Sequence, residues 1–549
     1  MTGLIFLVGL SGTGKSTIGR LLSGRLQLPF VDTDVEIERR AGKSVAAIFA
    51  DEGESVFRQL ESDVLRDVSA RRAGVVATGG GAPTDPSNRT LIRAAGPVFW
   101  LDATAETIAR RLGDGAALRP LLQGDVLASL ERLRSLRVNA YQACGTRIET
   151  QERSPFEIAD EIVRELRSSG YFAPAAWTDG LTAPVWVNTS GHSYPIYVGS
   201  GLVERFPEIL QRHGLEGRLH CLIDKRVASL HGAAFASSLK KGDTWHPTEA
   251  GETQKTLAHI YELYDELLAE RPERSDTLVA IGGGVVGDLV GFLASTLLRG
   301  MRFVQIPTTV LAQVDSSVGG KVGVDHPRGK NLIGSFYQPC LVLADLDVLG
   351  TLPPREIAAG LAEVVKIAVV QDADLFDQVE ASAESLSALD REAMEPTIRR
   401  AIELKANLVE QDERDVLGIR ALLNYGHTLG HAIEAATDYG RFLHGEAVAV
   451  GMTAAGRMAA WMGGHPAEAV ERQDGLLRRL GLPVSAASVP RERIKDALGL
   501  DKKRQAGNLT WIIPTGLGSA RSGVEVPGEL VDRAMDWVFE GPRIRGDGN

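Results

Sequence analysis

The chain has 549 residues, too many for one ordinary core, and at about 150 residues per domain it predicts three or four domains. With 44% hydrophobic residues, 24% charged residues and a net charge of −11, it reads as a soluble globular protein and not as a general nucleic-acid binder. Three well-separated cysteines, Cys144, Cys221 and Cys340, form no CxxC pair, so neither a disulfide framework nor a cysteine zinc site is expected and a reducing cytoplasm fits. The apolar N-terminus lacks a basic stretch and runs straight into a glycine loop, which predicts no cleaved signal peptide. The most membrane-like stretch, Ala447 to Gly464, contains Arg457 and several glycines and reads as a buried helix, so no membrane partner is expected.

The first element is the apolar run Leu4–Val8, a buried strand, followed by Gly9-Leu-Ser-Gly12-Thr-Gly14-Lys15-Ser16. This fits the phosphate-loop pattern G-x-x-x-x-G-K-[ST] at every fixed position. The glycines free backbone N–H groups to converge on phosphate oxygens at the mouth of the next helix. Gly12, Thr13, Gly14, Lys15, Ser16 and Thr17 are therefore expected to hold ATP, with Lys15 on the terminal phosphates and Ser16 on Mg²⁺.

Next, Phe30-Val-Asp32-Thr-Asp34 places two acids after a short strand. They suit either the Mg²⁺ water shell and a substrate hydroxyl or the cap of the helix Val35–Arg40. Arg58 follows, then Thr78-Gly-Gly80-Gly after the strand Gly74–Ala77, where glycines admit a ligand close to the backbone. Arg119, in a Gly- and Pro-flanked segment, suits a mobile lid, and Arg137 supplies another cation.

Together these residues resemble shikimate kinase across about residues 1–170. The resemblance implies that Arg58 and Arg137 clamp the substrate carboxylate, and that Asp34 and Gly80 bind hydroxyls with Asp34 as the base. It further implies that Lys15, Ser16, Asp32 and Arg119 serve phosphoryl transfer and that Arg110 and Arg153 flank adenine. A gluconate-kinase-like enzyme is the nearest alternative, but its Asp-Gly-Asp is absent.

A helix over Phe156–Arg167 ends this region, and 171–183 reads as a linker of turn formers. Short strands are expected at Val185–Val187 and Tyr194–Val198, with strand–helix alternation from Leu219 to about Leu349. Within it, Thr277–Ile281 precedes Gly282-Gly283-Gly284-Val-Val-Gly287-Asp288, a G-x-G-x-x-G loop. The acid usual at the end of the following strand is missing, because Arg302–Ile306 ends in Pro307-Thr308-Thr309. Asp224, after the strand Leu219–Ile223, is the better candidate for a ribose hydroxyl.

Beyond Pro353-Pro354 the pattern turns helical to about residue 500, with one late strand candidate at Leu509–Ile513. His427 and His431 stand at i, i+4 on one helix; His444 begins the next, and Glu363 lies on an earlier one. Two imidazoles and a carboxylate suit a catalytic metal with open positions. Arg299, Lys321, Lys330, Lys366, Lys405, Arg420, Lys502 and Lys503 form a set of cations, assigned to glycine- and proline-punctuated loops, that suits a phosphorylated, carboxylated substrate in an otherwise acidic protein.

These motifs resemble 3-dehydroquinate synthase over about residues 184–520. That family converts 3-deoxy-D-arabino-heptulosonate 7-phosphate to a carbocycle with loss of phosphate; NAD⁺ takes a hydride and returns it, so no net oxidation occurs. The resemblance implies Zn²⁺ or Co²⁺ on Glu363, His427 and His444, proton transfer by His431, and chemistry assisted by Lys366 and Arg299. It puts Asp315, Lys321, Lys405, Arg420, Asn424 and Lys502 around the substrate, with Arg299 and Lys321 at its phosphate and Lys503 as an alternative to Lys502. NAD contacts are implied for Asp224, Glu252, Lys255, Gly283, Gly284, Asp288, Thr308, Thr309, Lys321, Lys330, Asn331 and Thr351. A glycerol-dehydrogenase-like oxidoreductase and cyclases acting on related sugar phosphates are the alternatives, and a half retained as a dead scaffold is a third.

The expected fold class is α/β: a P-loop kinase domain (1–170) with a parallel sheet flanked by helices, joined to a two-part synthase. The synthase comprises a Rossmann-like α/β part (184–350) and an all-helical metal-binding part (351–540), followed by a tail (541–549). A homodimer through the synthase half is the assembly considered.

Overall fold

A computed structural model describes residues 3–26, 28–71, 73–113, 122, 124–151, 153, 155–169, 181–182, 184–189, 193–215, 217–487, 489–504 and 509–540. The chain forms two compact units, Met1–Tyr194 and Pro195–Asn549.

In the first unit, β1 (Gly3–Val8), β2 (Phe30–Asp32), β3 (Ala73–Ala77), β4 (Val98–Asp102) and β5 (Thr146–Glu149) form a parallel sheet in the order β2-β3-β1-β4-β5. β1 is an unbroken apolar run because both faces are covered. Strand alternation sends Leu4, Phe6 and Val8 into one core and Ile5 and Leu7 into the other. The order reverses beside β1, so its carboxyl end opens on the crevice where ligands bind in such sheets. Helices α1 (Lys15–Leu26), α2 (Thr33–Ala41), α3 (Gly53–Ser69), α4 (Ala105–Leu112) and α5 (Val126–Gln142) carry the polar residues to that end.

The second sheet contains β6 (Val185–Asn188), β7 (Ser193–Gly199), β8 (Leu219–Asp224), β9 (Thr244–Thr248), β10 (Thr277–Gly282), β11 (Arg302–Pro307) and β14 (Leu341–Asp345). Its order is β6-β7-β14-β11-β10-β8-β9. Helix α6 (Gly284–Thr296) leaves β10 through the glycine loop and lies close on the sheet. A Cβ on its Gly291 would sit 3.0 Å from Phe303 Cζ of β11 and 2.4 Å from Val322 Cγ1 outside the sheet, so glycine fixes the approach on both sides. A separate antiparallel hairpin, β12 (Lys321–His326) and β13 (Gly329–Phe336), turns at Pro327-Arg328. The loop assignment of Lys321 and Lys330 is therefore corrected: both lie on this hairpin. Its outer strand alternates between half-buried and exposed residues, and the glycines and charges there give no apolar period to read.

The C-terminal part is built from α7 (Pro354–Gln371), α8 (Arg391–Gln411), α9 (His427–Ala436), α10 (His444–Trp461) and α11 (Ala467–Arg479). It is not all-helical, since β15 (Thr510–Gly516) pairs with β16 (Ser519–Glu525) where one strand was expected. The membrane-like stretch is the buried body of α10, where Arg457 reaches Asp474 at 2.5 Å. No helix among the described residues is long and apolar enough to cross a membrane.

Helices α7, α9 and α10 meet through glycine. A Cβ on Gly445 would lie 1.9 Å from Ala359 O, and one on Gly451 would lie 1.9 Å from Gly426 O. Main chain occupies the space that a side chain needs. Gly451→Ala is therefore expected to cost about 1–3 kcal/mol, read as a lower urea midpoint for the second unit; an unchanged midpoint would contradict this packing.

Candidate active sites

At the carboxyl end of β1 the phosphate loop turns through three left-handed glycines, Gly9, Gly12 and Gly14 (φ 143°, 88° and 94°). It borders a cavity of about 1030 Å³. Gly12, Thr13, Gly14, Lys15, Ser16 and Thr17 line it on one side, and Asp32, Asp34, Arg58, Gly80, Arg137 and Arg153 elsewhere. Lys15 Nζ donates to Gly9 O and Leu10 O, both at 2.9 Å. Ser16 Oγ donates to Asp32 Oδ2 at 2.5 Å, while Asp32 Oδ1 accepts from Asp34 N at 3.1 Å. Asp32 thus caps α2, as one of the two sequence readings had it, and also presents oxygen beside the loop hydroxyl. A hydroxyl and a carboxylate in contact are the hard oxygen donors that suit Mg²⁺.

Glu61, which sequence reasoning missed, sits beneath the glycine triplet and accepts from Arg58 at 2.8 Å. It is 1% exposed, and burial pushes its carboxyl pKa up against the pull of Arg58. A Cβ on Gly79 would meet its Oε1 at 2.3 Å, and one on Gly81 would meet Arg58. The signal available was the i, i+3 spacing of Arg58 and Glu61 on α3. Arg110 is exposed and absent from the cavity lining; its neighbour Arg111 lines the cavity and donates to Thr150 Oγ1 at 3.0 Å. One residue along a helix is about 100° of rotation, so α4 presents the second arginine of the pair to the cavity. Arg153 donates to Glu149 O at 3.0 Å. Arg119 lies outside the described residues.

In the second unit, the donor atoms of Glu363, His427 and His444 lie within 4.8 Å of one another. His444 Nε2 stands 3.6 Å from Glu363 Oε1, close to the ~3.4 Å that separates two ligands of one tetrahedral ion. Glu363 Oε1 is buried without a hydrogen bond, while Oε2 contacts the Lys366 ammonium. His427 Nδ1 faces Tyr425 O at 3.2 Å, which directs Nε2 inward, and His444 Nδ1 faces Glu434 Oε2 at 3.2 Å. Burial and neighbouring Lys366 hold His427 well below the ordinary imidazole pKa, in the neutral form a metal requires. The residues present fit a divalent ion. His431 is exposed, its ring 5.2 Å from that of His427 and 5.9 Å from that of His444.

Asp315 joins the cations behind this cluster. Lys405 Nζ donates to its Oδ1 at 2.6 Å, and Lys366 lies 3.9 Å away. Burial alone would raise the Asp315 pKa, but the two lysines drive it far below the carboxylate range. Burial lowers Lys405 to about 8 despite Asp315. Arg420 is buried and donates to Glu413 O at 3.0 Å, Lys321 pairs with Asp415 at 2.5 Å, and Asn424 is exposed. Arg299 is exposed in a turn with φ 66°, with no contact to Lys321 or Lys405 among the described interactions. The side chains of Lys502 and Lys503 lie outside the described residues.

The residues proposed to contact the dinucleotide fall into three sets. Lys255 pairs with Asp288 at 2.6 Å and donates to Asn331 at 2.5 Å, while Lys330 pairs with Glu252 at 2.8 Å. Burial pushes Asp288 up to about 6. Helix α6 opens at Gly283 without a side-chain cap, and a Cβ on Gly284 would meet Ser316 Oγ at 2.9 Å; this bare helix N-terminus suits a diphosphate. Thr308 and Thr309 flank the loop: Thr308 N donates to Gly282 O, and a Cβ on Gly283 would touch Thr309 Cγ2 at 3.4 Å. Asp224 caps the helix Lys225–Ser237 through Arg226 N at 2.6 Å, and Thr351 meets His231 at 2.8 Å.

Fold and sites together define a fused enzyme: a P-loop kinase and a glycine-loop enzyme with a helical metal centre. The shikimate kinase family model matches residues 11–167. The 3-dehydroquinate synthase N-terminal model matches residues 246–359 and the 3-dehydroquinate synthase C-terminal model residues 360–504. The 3-dehydroquinate synthase of Gloeobacter violaceus is 46% identical over 350 residues, spanning 63% of this chain and 96% of that protein. Among solved structures, 2-epi-5-epi-valiolone synthase from Streptomyces hygroscopicus, with NAD⁺ and Zn²⁺ bound, is 29% identical with a TM-score of 0.59, over 64% of this chain and 98% of that one. 2-Deoxy-scyllo-inosose synthase complexed with carbaglucose-6-phosphate, NAD⁺ and Co²⁺ is 27% identical with a TM-score of 0.58, over 65% and 99%. The chain belongs to the 3-dehydroquinate synthase family and carries a shikimate kinase domain ahead of its synthase region.

Lys405 gives a pH signature. Burial makes it shed its proton as pH rises through about 8, so its pull on an anion beside it weakens there. The kcat/KM of the synthase reaction is expected to fall there, and Lys405→Arg to move the fall to higher pH; an unmoved alkaline limb in Lys405→Arg would assign it elsewhere.

Proposed function

We propose that the chain catalyses two separate steps of the shikimate route. The first unit phosphorylates shikimate with ATP to give shikimate 3-phosphate; the second converts 3-deoxy-D-arabino-heptulosonate 7-phosphate to 3-dehydroquinate and phosphate. The observation that carries the second is the Glu363–His427–His444 cluster backed by the Lys366 and Lys405 cations on Asp315, in a chain 46% identical to a 3-dehydroquinate synthase. The lower identities to the two other cyclases, 29% and 27%, favour the heptulosonate over their substrates.

In the kinase, Arg58 and Arg137 hold the shikimate carboxylate, Asp34 takes the proton from the attacking hydroxyl, and Lys15 and Arg119 neutralise charge on the transferring group. Ser16 and Asp32 would hold Mg²⁺. In the synthase, Glu363, His427 and His444 would hold Zn²⁺ or Co²⁺; that ion supplies a Lewis acid for vicinal oxygens, and NAD⁺ a reversible hydride acceptor. Lys366, Lys405, Arg420 and Asn424 orient the substrate, Lys321 and Arg299 take its phosphate, Lys502 is a further substrate contact, and His431 moves a proton at its imidazole. Glu252, Lys255, Asp288, Lys330, Asn331 and the glycine loop hold the dinucleotide, with Asp224, Thr308, Thr309 and Thr351. The functional boundaries are 1–170, 184–350 and 351–540, with 171–183 as linker and 541–549 as tail. A cytoplasmic setting and a homodimer through the synthase half complete this reading.

Two assays on one preparation test it: ADP formation with shikimate, and phosphate release from the heptulosonate. Lys15→Ala is expected to lower only the first and His427→Ala only the second, each by on the order of 10²-fold or more. Loss of both activities in either variant would sink the claim of independent sites.

A further inference from the structure

The metal ligand His427 follows a turn whose anchor lies outside the cluster. Tyr425 has φ −58° and ψ 125°, and Gly426 has φ 80° and ψ −20°, so Asn424–His427 form a type II β-turn. The peptide between Tyr425 and Gly426 distinguishes this turn from type I, in which it is rotated by roughly half a turn. Its carbonyl, Tyr425 O, is the group facing His427 Nδ1 at 3.2 Å. A flip of that peptide would take the acceptor away from the imidazole.

Three contacts oppose the flip. The Tyr425 hydroxyl, fully buried, lies 2.8 Å from Gln473 Oε1 and 3.1 Å from Met452 O. Gln473 is also fully buried and belongs to α11, which supplies none of the candidate ligands. Gly426 O rests against the backbone of α10 at Gly451, where any Cβ would collide with it. Gly456 leaves room for the phenol–amide pair, since a Cβ there would be 3.3 Å from the Tyr425 hydroxyl and 3.4 Å from Gln473 Nε2. Buried hydrogen bonds of this kind fix geometry because the alternative leaves a polar group without a partner.

We infer that Tyr425 and Gln473 are positioning residues for the metal: their hydrogen bond locks the type II turn, so that the Tyr425 carbonyl holds His427 with Nε2 directed at the ion. The inference rests on the reading of Glu363, His427 and His444 as a metal site. It assigns a role in the reaction to Gln473, 46 positions beyond the ligand it serves.

The test uses the full chain loaded with Co²⁺ without nucleotide, following visible absorption and competition with a chromophoric chelator, beside urea unfolding. Tyr425→Phe and Gln473→Leu are expected to weaken Co²⁺ binding by about 10–100-fold and to change the absorption band. Thr453→Val removes a different buried bond to α11, from Thr453 Oγ1 of α10 to Asp474 Oδ1 at 3.0 Å, and is expected to keep the parent affinity. Parent affinity and spectrum in Tyr425→Phe, or equal weakening in Thr453→Val, overturns the inference. If Tyr425→Phe fails to fold, Gln473→Leu decides by the same criterion. His427→Ala separates the two levels: if it binds Co²⁺ as the parent does, the metal reading falls and the inference with it.

Discussion

Backbone-to-backbone contact is the constraint on which the synthase site depends. Carboxylate and imidazole arms are short, so ligands drawn from α7, α9 and α10 converge only if those helices approach more closely than side chains ordinarily allow. Gly445 against Ala359 and Gly451 against Gly426 provide that approach. Gly445 directly follows His444, and Gly426 directly precedes His427. Packing and ligand placement are thus set by the same residues, and the core cannot be redesigned there without moving the chemistry.

Charge is handled by pairing within the sites. Burying an ion without a partner is costly, and each site arranges its own compensation. Asp315 stands between Lys366 and Lys405, and Lys366 also contacts Glu363. In the kinase, Glu61 balances Arg58. On the proposed function, an incoming anionic substrate would meet lysines already held by carboxylates, so recognition would be an exchange of partners rather than the filling of a bare positive pocket. Pairing of this kind lets a chain of net charge −11 keep cations clustered locally.

Contiguous motifs were the legible part of the sequence. The phosphate loop, the glycine loop after β10 and the spacing of His427, His431 and His444 each bring a local geometry that any fold must respect. Glu363 was named only as a carboxylate offered by an earlier helix, and the structure sets it against His444. What escaped depends on tertiary direction. Arg110 and Arg111 differ only by rotation about α4, and nothing in their sequence says which turns inward. Glu61 and Glu434 are single acids whose meaning comes from partners on other elements or the next turn. The hairpin β12–β13 was read as loops because its glycines and charges carry no apolar alternation. Tyr425 and Gln473 meet only because α11 folds back along α10, a pairing across 48 positions that no local pattern encodes.

Both nucleotide sites are reached through main chain at the ends of deeply buried strands. A Cβ at Gly9 would meet Leu101 O at 2.4 Å, much as one at Gly284 would meet Ser316. During sequence drift the positions least free to change are then ones that carry no functional group at all, while an exposed arginine such as Arg110 can be exchanged at little cost. Divergence in this chain should look paradoxical to anyone counting only reactive side chains: empty positions at the loops persist beside them, while exposed charges that line neither site wander.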